Sequence, residues 1–269
     1  MDTVSIDSRS LYTRLGSPQS PLILDVRREP AFEADTHMIA GALRAHGDLA
    51  AFARQHAGGR PIVIYCVKGH EVSRDAAQLL SQAGHDAAFL AGGIEGWRAA
   101  GLPTIVRKHE WRVPGGSRWI TRERPKIDRI ACPWLIARFI DPLASFDYVP
   151  TSQVFSEAKA RGAVAYDIAG APVTHRGERC SFDALLEDFA LHDPALDRLA
   201  GIVRGADTDR LDLAPQSAGL LATSLGLSQR YPDDHEMLMH AMPVYDGLYA
   251  WCRQEVEGRH EAHSWTAPA

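Results

Sequence analysis

The sequence has few cysteines and no long apolar run, and each shortage excludes a class of protein. Its four cysteines lie far apart and form no C-x-x-C pair, so we expect neither a disulfide scaffold nor a zinc ribbon. No apolar stretch approaches the roughly 20 residues that cross a bilayer, and the mean hydropathy is −0.20. The first residues show no basic segment leading into an apolar core, which a signal peptide requires. We therefore expect a cytoplasmic protein without membrane contact.

Charged residues are unevenly distributed along the chain. Residues 127–269 carry 12 basic and 21 acidic side chains, whereas residues 106–126 carry 7 basic and 2 acidic ones. An acidic surface repels the phosphates of nucleic acid, so we do not expect nucleic acid as a partner. We interpret the short basic stretch as a solvated linker, the alternative being a contact with an anion.

Short apolar runs alternate with helical patterns over residues 1–105. Runs at 21–26 and 60–66 predict two buried strands, and the segment "DAAFLAGG" predicts a third. Residues 73–84 predict an amphipathic helix that a glycine ends. Strands that alternate with helices favour an α/β domain whose parallel sheet is covered on both faces.

A second domain follows a segment that lacks either periodicity. Residues 106–120 are assigned to a linker because they contain Pro114-Gly115-Gly116. Residues 121–269 are assigned to a mainly helical α+β domain, and its longest helix is predicted from about residue 233 to about residue 257. The stretch "KIDRIACPWLIARFID" predicts a helix that Pro133 kinks or restarts.

The loop "CVKGHE" places Cys66 between a strand and a helix. Backbone N–H groups at the start of a helix stabilise an anion, so a thiolate there has a lowered pKa. Gly69 permits the tight backbone curl, and Lys68 and His70 supply positive charge. The alternative is an inert cysteine that behaves as a small buried hydrophobe.

Three segments, in order, make residues 1–105 resemble a single rhodanese domain. They are "LILDVRREPAFEADTHMIAGALRA", the strand and loop "IVIYCVKGHEVS", and "AFLAGGIEGWRAAGLP". The resemblance implies that Cys66 attacks a sulfane donor such as thiosulfate, holds the sulfur as a persulfide and passes it to a thiol acceptor or cyanide. It also implies a substrate-binding set, namely Val67, Lys68, Gly69, His70 and Glu71 of the loop together with Arg74.

The loop departs from the family pattern at Glu71, where many rhodaneses have an arginine. A carboxylate near the thiolate raises the pKa of the thiol and repels thiosulfate. Arg74 lies one helical turn further along and is a candidate partner for Glu71. The sulfur donor is therefore left open. Asp25 and Arg27, in the first buried strand and just after it, are predicted to have structural roles.

Polar clusters in the second domain predict a metal site. "THRGERC" contains His175, "RGADTDRLD" contains Asp207, and "YPDDHEMLMH" contains Asp234 and His235 at the start of a helix. A histidine and carboxylate set from separate segments suits zinc, iron or manganese. The alternative is that the acids cap helices or form ion pairs. No H-E-x-x-H motif is present, so the sequence does not predict a zincin.

Residues 121–258 resemble the C-terminal domain of the chromate resistance protein ChrB. The segments that carry the resemblance are "TRERPKIDRIACPWLIARFIDP", "THRGERCSFDALLEDF", "IVRGADTDRLDLAPQSAGLLATSLGLS" and "DDHEMLMHAMPVYDGLYAWCR". The combination implies a role in withstanding chromate.

Three functions remain open from the sequence. The first is a rhodanese-type sulfurtransferase coupled to a chromate-resistance domain that binds a metal. The second is a chromate-binding or chromate-reducing protein, because chromate is a tetrahedral dianion that an anion-binding loop beside a thiol suits. The third is a chromate-responsive regulator without turnover.

Overall fold

A computed structural model describes residues 4–107, 111 and 115–259. The first part of the chain forms strands β1 (Ser5–Ile6), β2 (Leu22–Asp25), β3 (His37–Ile39), β4 (Ala42–Arg44), β5 (Ile62–Tyr65), β6 (Ala87–Leu90) and β7 (Thr104–Val106), and helices α1 (Ser8–Tyr12), α2 (Glu29–Glu33), α3 (Leu49–His56), α4 (Glu71–Gln82) and α5 (Gly93–Ala99). Five strands build a parallel sheet in the order β1-β6-β5-β2-β4. The predicted α/β domain with a parallel sheet is confirmed.

The second part of the chain is mainly helical, as the sequence predicts. It contains strands β8 (Arg118–Arg122), β9 (Ser145–Val149) and β10 (Val164–Ala165), and helices α6 (Asp128–Leu135), α7 (Val154–Arg161), α8 (Ser181–Asp188), α9 (Pro194–Asp207), α10 (Gln216–Arg230) and α11 (Asp234–Val256). The three strands form a parallel sheet in the order β10-β8-β9. The carboxyl ends of these strands therefore meet at one edge, where polar loops collect.

The predicted linker over residues 106–120 contains regular structure at both ends. Strand β7 pairs antiparallel with β3, and β8 is the central strand of the second sheet. A central strand covered on both faces shows no alternation of apolar and polar residues, so period-2 reasoning misses it. Residues 108–110 and 112–114 of this segment, including Pro114, lie outside the described residues.

Pro133 lies inside α6, and the helix continues beyond it with π-helical geometry over Ile136–Ile140. A proline lacks the backbone N–H that the regular α-helical pattern uses. Short π-helical turns occur inside α-helices as local departures from the regular pattern. The helix begins at Asp128 and does not restart at Pro133, and the change of winding follows the proline.

The two parts of the chain share one hydrophobic core, which combines buried residues of the first sheet with those of α6, α8, α9 and α11. Polar contacts also join them: Tyr12 Oη donates to Asp193 Oδ2 at 2.5 Å, and Val106 N donates to Phe189 O at 2.9 Å. Among the described residues, no helix combines the length and the apolar character that crossing a membrane requires.

Candidate functional site

Cys66 follows the central strand β5, and its loop ends where α4 begins at Glu71. Cys66 is 6% exposed. Two backbone hydrogen bonds from α5 hold the loop: Ile94 N donates to Cys66 O at 3.0 Å, and Glu95 N donates to Val67 O at 3.1 Å. The backbone of α5 thus holds the loop in a fixed curl around the thiol.

The surroundings of Cys66 favour its thiolate. Burial raises the pKa of the thiol, but hydrogen bonds from the Ser73 hydroxyl and from the backbone N–H groups of His70, Ser73 and Lys68 outweigh burial and lower it. The sulfur lies 3.2 Å from Ser73 Oγ. These donors come from the loop and the first turn of α4, where N–H groups have no partner within the helix. The loop therefore has the hydrogen-bond donors that the prediction of an anion-stabilising loop requires.

Replacing Ser73 with alanine is expected to shift the pH dependence of Cys66 alkylation. Because the pKa of Cys66 lies below that of an ordinary thiol, the wild-type alkylation rate should level off at a lower pH than the rate for a small thiol does. Ser73→Ala removes the strongest hydrogen bond to the thiolate, so the midpoint should rise by about one pH unit. Iodoacetamide labelling followed by mass spectrometry measures both profiles, and Ser81→Ala on the same helix is the control. Identical midpoints for Ser73→Ala and wild type would contradict this assignment.

A buried ion-pair network supports the strand that carries Cys66. Asp25 Oδ2 accepts hydrogen bonds from Tyr65 Oη at 2.8 Å and from Arg27 Nη2 at 2.6 Å. Asp25 and Arg27 are 0% and 2% exposed. Tyr65 directly precedes Cys66, so the network fixes the end of β5. This arrangement agrees with the structural roles predicted for Asp25 and Arg27.

The other predicted substrate-binding residues surround the thiol with mixed charge. Lys68, His70 and Glu71 are exposed, Val67 is partly buried, and Gly69 is buried in the curl of the loop. Arg74 does not pair with Glu71; its guanidinium lies 5.4 Å from the centre of the Phe89 ring. No ion pair of Glu71 occurs in the described part of the chain, so its charge is free to act on a substrate.

A second cluster of ionisable groups lies at the carboxyl edge of the second sheet. His175 Nε2 lies 3.1 Å from Asp207 Oδ2, 3.4 Å from Asp167 Oδ1 and 3.6 Å from Asp128 Oδ2. Asp128 begins α6, Asp167 follows β10, His175 precedes α8 and Asp207 ends α9. Four separate segments thus bring three carboxylates to one imidazole.

Interactions within this cluster shift the pKa values of its members. The hydrogen bond to Asp167 and the charges of Asp128 and Asp207 raise the pKa of His175 to about 9. Burial, and then the charges of Asp167 and Asp207, raise the pKa of Asp128 to about 8. The carboxylates repel one another, and a positive charge among them relieves this repulsion.

The structure brings together two of the four residues that the sequence predicts as metal ligands. Within the described chain, the group whose ligand atoms all lie within 4.8 Å of one another consists of Asp128, His175 and Asp207. Sequence reasoning missed Asp128 because an acid in the first turn of a helix is an ordinary feature. It also missed Asp167, a single acid at the end of a short strand-like run. No spacing motif in the sequence links these positions, and they come together only when the chain folds.

Asp234 and His235 lie outside this group, which corrects the predicted ligand set. Asp234 Oδ1 accepts a hydrogen bond from Arg124 N at 3.0 Å. The His235 ring packs edge-on against Tyr148, with 5.6 Å between ring centres. Asp233, just before them, caps α11 by accepting from Glu236 N. The helix-start alternative considered from the sequence describes this segment better than metal ligation does.

Two family models match the chain. A rhodanese-like domain matches residues 8–100, and the ChrB C-terminal domain matches residues 119–252. A curated relative, "Protein ChrB" of Cupriavidus metallidurans, is 36% identical over 135 residues, which are 50% of this chain and 40% of that protein. The matched region thus spans about two fifths of the length of this relative.

Solved structures also resemble the first domain. A full-length protein from Lactobacillus plantarum is 28% identical, with 39% of this chain and 88% of that chain covered and a TM-score of 0.35. A thiosulfate sulfurtransferase from Pseudomonas aeruginosa is 27% identical, with 38% of this chain and 19% of that chain covered and a TM-score of 0.33. Together with the sheet order and the cysteine loop, the two family matches show that the chain joins a rhodanese-like domain to a ChrB C-terminal domain.

Proposed function

We propose that this protein is a sulfurtransferase in which Cys66 carries a sulfane sulfur, and that its ChrB-type domain applies this chemistry to chromate resistance. The observation that supports the proposal most is the thiol itself. Cys66 has a lowered pKa and sits in a curl of backbone N–H groups at the start of α4. A nucleophile activated in this way suits covalent catalysis.

The reaction proceeds in two balanced steps. The Cys66 thiolate attacks the outer sulfur of thiosulfate, a new S–S bond forms, and the bond between the two thiosulfate sulfurs breaks with its electron pair leaving on sulfite. A thiolate acceptor, or cyanide, then attacks the outer sulfur of the Cys66 persulfide and receives it. The electron pair of the broken S–S bond returns to Cys66, which is again a thiolate. The loop N–H groups stabilise the anionic sulfur in both steps.

A reducing compartment suits this cycle. All four cysteines are free and buried, and free thiols persist where glutathione or thioredoxin keeps them reduced. We therefore place the reaction in the cytoplasm, with a small thiol as the acceptor.

Thiocyanate formation tests the function. The purified protein, incubated with cyanide and either thiosulfate or an organic persulfide, should form thiocyanate faster than the donors do without protein. If neither donor gives a rate above the protein-free rate, the proposed activity is wrong.

Glu71→Arg is expected to raise kcat/KM for thiosulfate by about tenfold, because the substitution replaces repulsion of a dianion with attraction. Glu71→Gln should give an intermediate increase. Asp75→Arg makes the same charge change one turn further along α4 and serves as the control. The increase in kcat/KM should become smaller as salt is added, because Glu71 is exposed and salt screens exposed charges. A Glu71→Arg value equal to that of Asp75→Arg would contradict a role of Glu71 in donor selection.

A second candidate function is direct binding or reduction of chromate at the same loop, favoured by the loop's capacity to hold an oxyanion and by the ChrB-type domain. Reduction would need a thiol reductant to supply the electrons. The test is loss of chromate in the presence of that thiol, with and without protein. Equal rates would exclude reduction, and retardation of DNA by the chromate-treated protein would instead favour a regulator.

A further inference from the structure

The proposed reaction of Cys66 does not use the cluster of Asp128, Asp167, His175 and Asp207. It lies at the carboxyl edge of a parallel sheet, which is where open α/β sheets place ligands. Asp128 is 0% exposed and Asp167 is 6% exposed, while His175 keeps an imidazole side chain that is 40% exposed. A route from solvent to the buried carboxylates therefore runs past the histidine.

Potential metal-ligand atoms from separate segments of the chain lie close together at this edge. One atom each from Asp128, His175 and Asp207 lies within 4.8 Å of the others. Atoms bound to a common metal at about 2.1 Å lie about 3 to 4 Å apart, so only small shifts would complete a coordination sphere. Two carboxylate oxygens and one imidazole nitrogen form a mixed donor set with open positions.

The first carboxylate is held in place by α8. Ser181 N donates to Asp128 Oδ2 at 2.6 Å and Phe182 N donates to Asp128 Oδ1 at 3.0 Å. Ser181 Oγ also donates to Asp167 Oδ1 at 2.8 Å. These bonds position two acids that would otherwise repel each other, as the supporting hydrogen bonds of metal sites do.

An unpartnered buried atom beside the cluster also points to a missing species. Arg122 Nε is buried without a hydrogen-bond partner, while Nη2 of the same guanidinium contacts Asp167 Oδ2 at 3.4 Å. Buried donors of this kind are normally satisfied. A metal-bound water or anion near Asp167 would provide an acceptor for Arg122.

We propose that Asp128, His175 and Asp207 bind a divalent metal ion of the manganese, iron or zinc class, with Asp167 as the adjoining fourth carboxylate. Oxygen and imidazole ligands suit these ions. The nearby cysteines do not turn this into a soft thiolate site. The sulfur atoms of Cys132 and Cys180 lie outside the group of converging ligand atoms, which within the described chain consists of Asp128, His175 and Asp207.

Metal titration of the full chain tests the proposal. The protein is stripped with a chelator and titrated with Mn2+ or Zn2+ in a Cys66→Ser background, so that the loop thiolate cannot bind metal. Binding is followed by calorimetry, and for Mn2+ also by electron paramagnetic resonance. Because neither signal depends on sulfur transfer, a failure of the sulfurtransferase proposal leaves this result interpretable.

Two pairs of variants decide between the ligand sets. Asp207→Asn and His175→Gln should each weaken metal binding by about a hundredfold or more, since each removes a direct ligand. Asp234→Asn and His235→Gln, at positions that the sequence also suggests, should leave the affinity unchanged. Asp128→Asn tests the buried ligand, and thermal unfolding shows whether that variant is folded. If Asp128→Asn does not fold, the Asp207 and His175 variants still test the proposal.

Two results would overturn the proposal. One is the absence of stoichiometric binding of either metal by the stripped protein, which would leave the cluster as an internal ion-pair network. The other is equal weakening by Asp207→Asn and Asp234→Asn, which would move the metal away from this edge of the sheet.

Discussion

Cys66→Ser is expected to lower the rate of thiocyanate formation from thiosulfate and cyanide by about a thousandfold or more, a loss of about 4 kcal/mol of transition-state stabilisation. A hydroxyl stays protonated at neutral pH and is a weak nucleophile, so no covalent sulfur carrier forms. The fold should be unaffected, since serine has a similar size and Cys66 already lies beside a hydroxyl, Ser73 Oγ.

Intact mass spectrometry provides the second measurement. Thiosulfate should add about 32 Da, the mass of one sulfur atom, to the wild-type protein and nothing to Cys66→Ser. Cys252→Ala is the control, because Cys252 is 0% exposed on α11 and burial raises the pKa of its thiol. Equal turnover of Cys66→Ser and wild type would remove Cys66 from the mechanism.

Gly69→Ala is expected to reduce turnover by about a hundredfold and to destabilise the protein by about 2 kcal/mol or more. Gly69 has φ +68°, and an added Cβ would collide with the backbone at Leu90 O, Gly92 N and Gly93 N. Backbone atoms cannot rotate away, so the loop and its N–H groups would shift around Cys66. Displacements of about 1 Å at a reacting centre cost about a hundredfold in rate.

Gly47→Ala separates steric collision from backbone strain. Gly47 has a similar φ of +63°, but an added Cβ there would meet nothing within 4 Å. This control should cost about 1 kcal/mol of stability, from the positive φ alone, and no activity. Urea unfolding and the thiocyanate assay compare the two variants. Similar losses in both would show that the packing around Gly69 does not matter for the site.

Local patterns predicted the first domain well. Buried strands appear as continuous apolar runs, and the structure places Cys66 between such a strand, β5, and the amphipathic helix α4, as the pattern predicts. Helix and strand periods act over a few residues, so a single sequence records them. The central strand β8 escaped this reasoning because its two buried faces remove the alternation on which the prediction depends.

The second cluster shows the limit of local reasoning. Reasoning from polar loops placed His175 and Asp207 in one candidate set with Asp234 and His235. The fold brings His175 and Asp207 together, whereas Asp234 accepts a hydrogen bond from Arg124 N and His235 packs against Tyr148. A carboxylate at the start of a helix has the same sequence pattern whether it caps the helix or binds a ligand. Its neighbours in space decide which of these it does.

The sequence by itself determined the order of the two domains, the parallel sheet of the first and the place of Cys66 before α4, because these depend on local periodicity and on one loop. Only the tertiary structure decided that Glu71 has no cation partner among the described residues and that Asp128 and Asp167 join His175 and Asp207. Those contacts link positions far apart in the chain. Their formation follows from the packing of α6, α8 and α9 against one another, which no short-range pattern encodes.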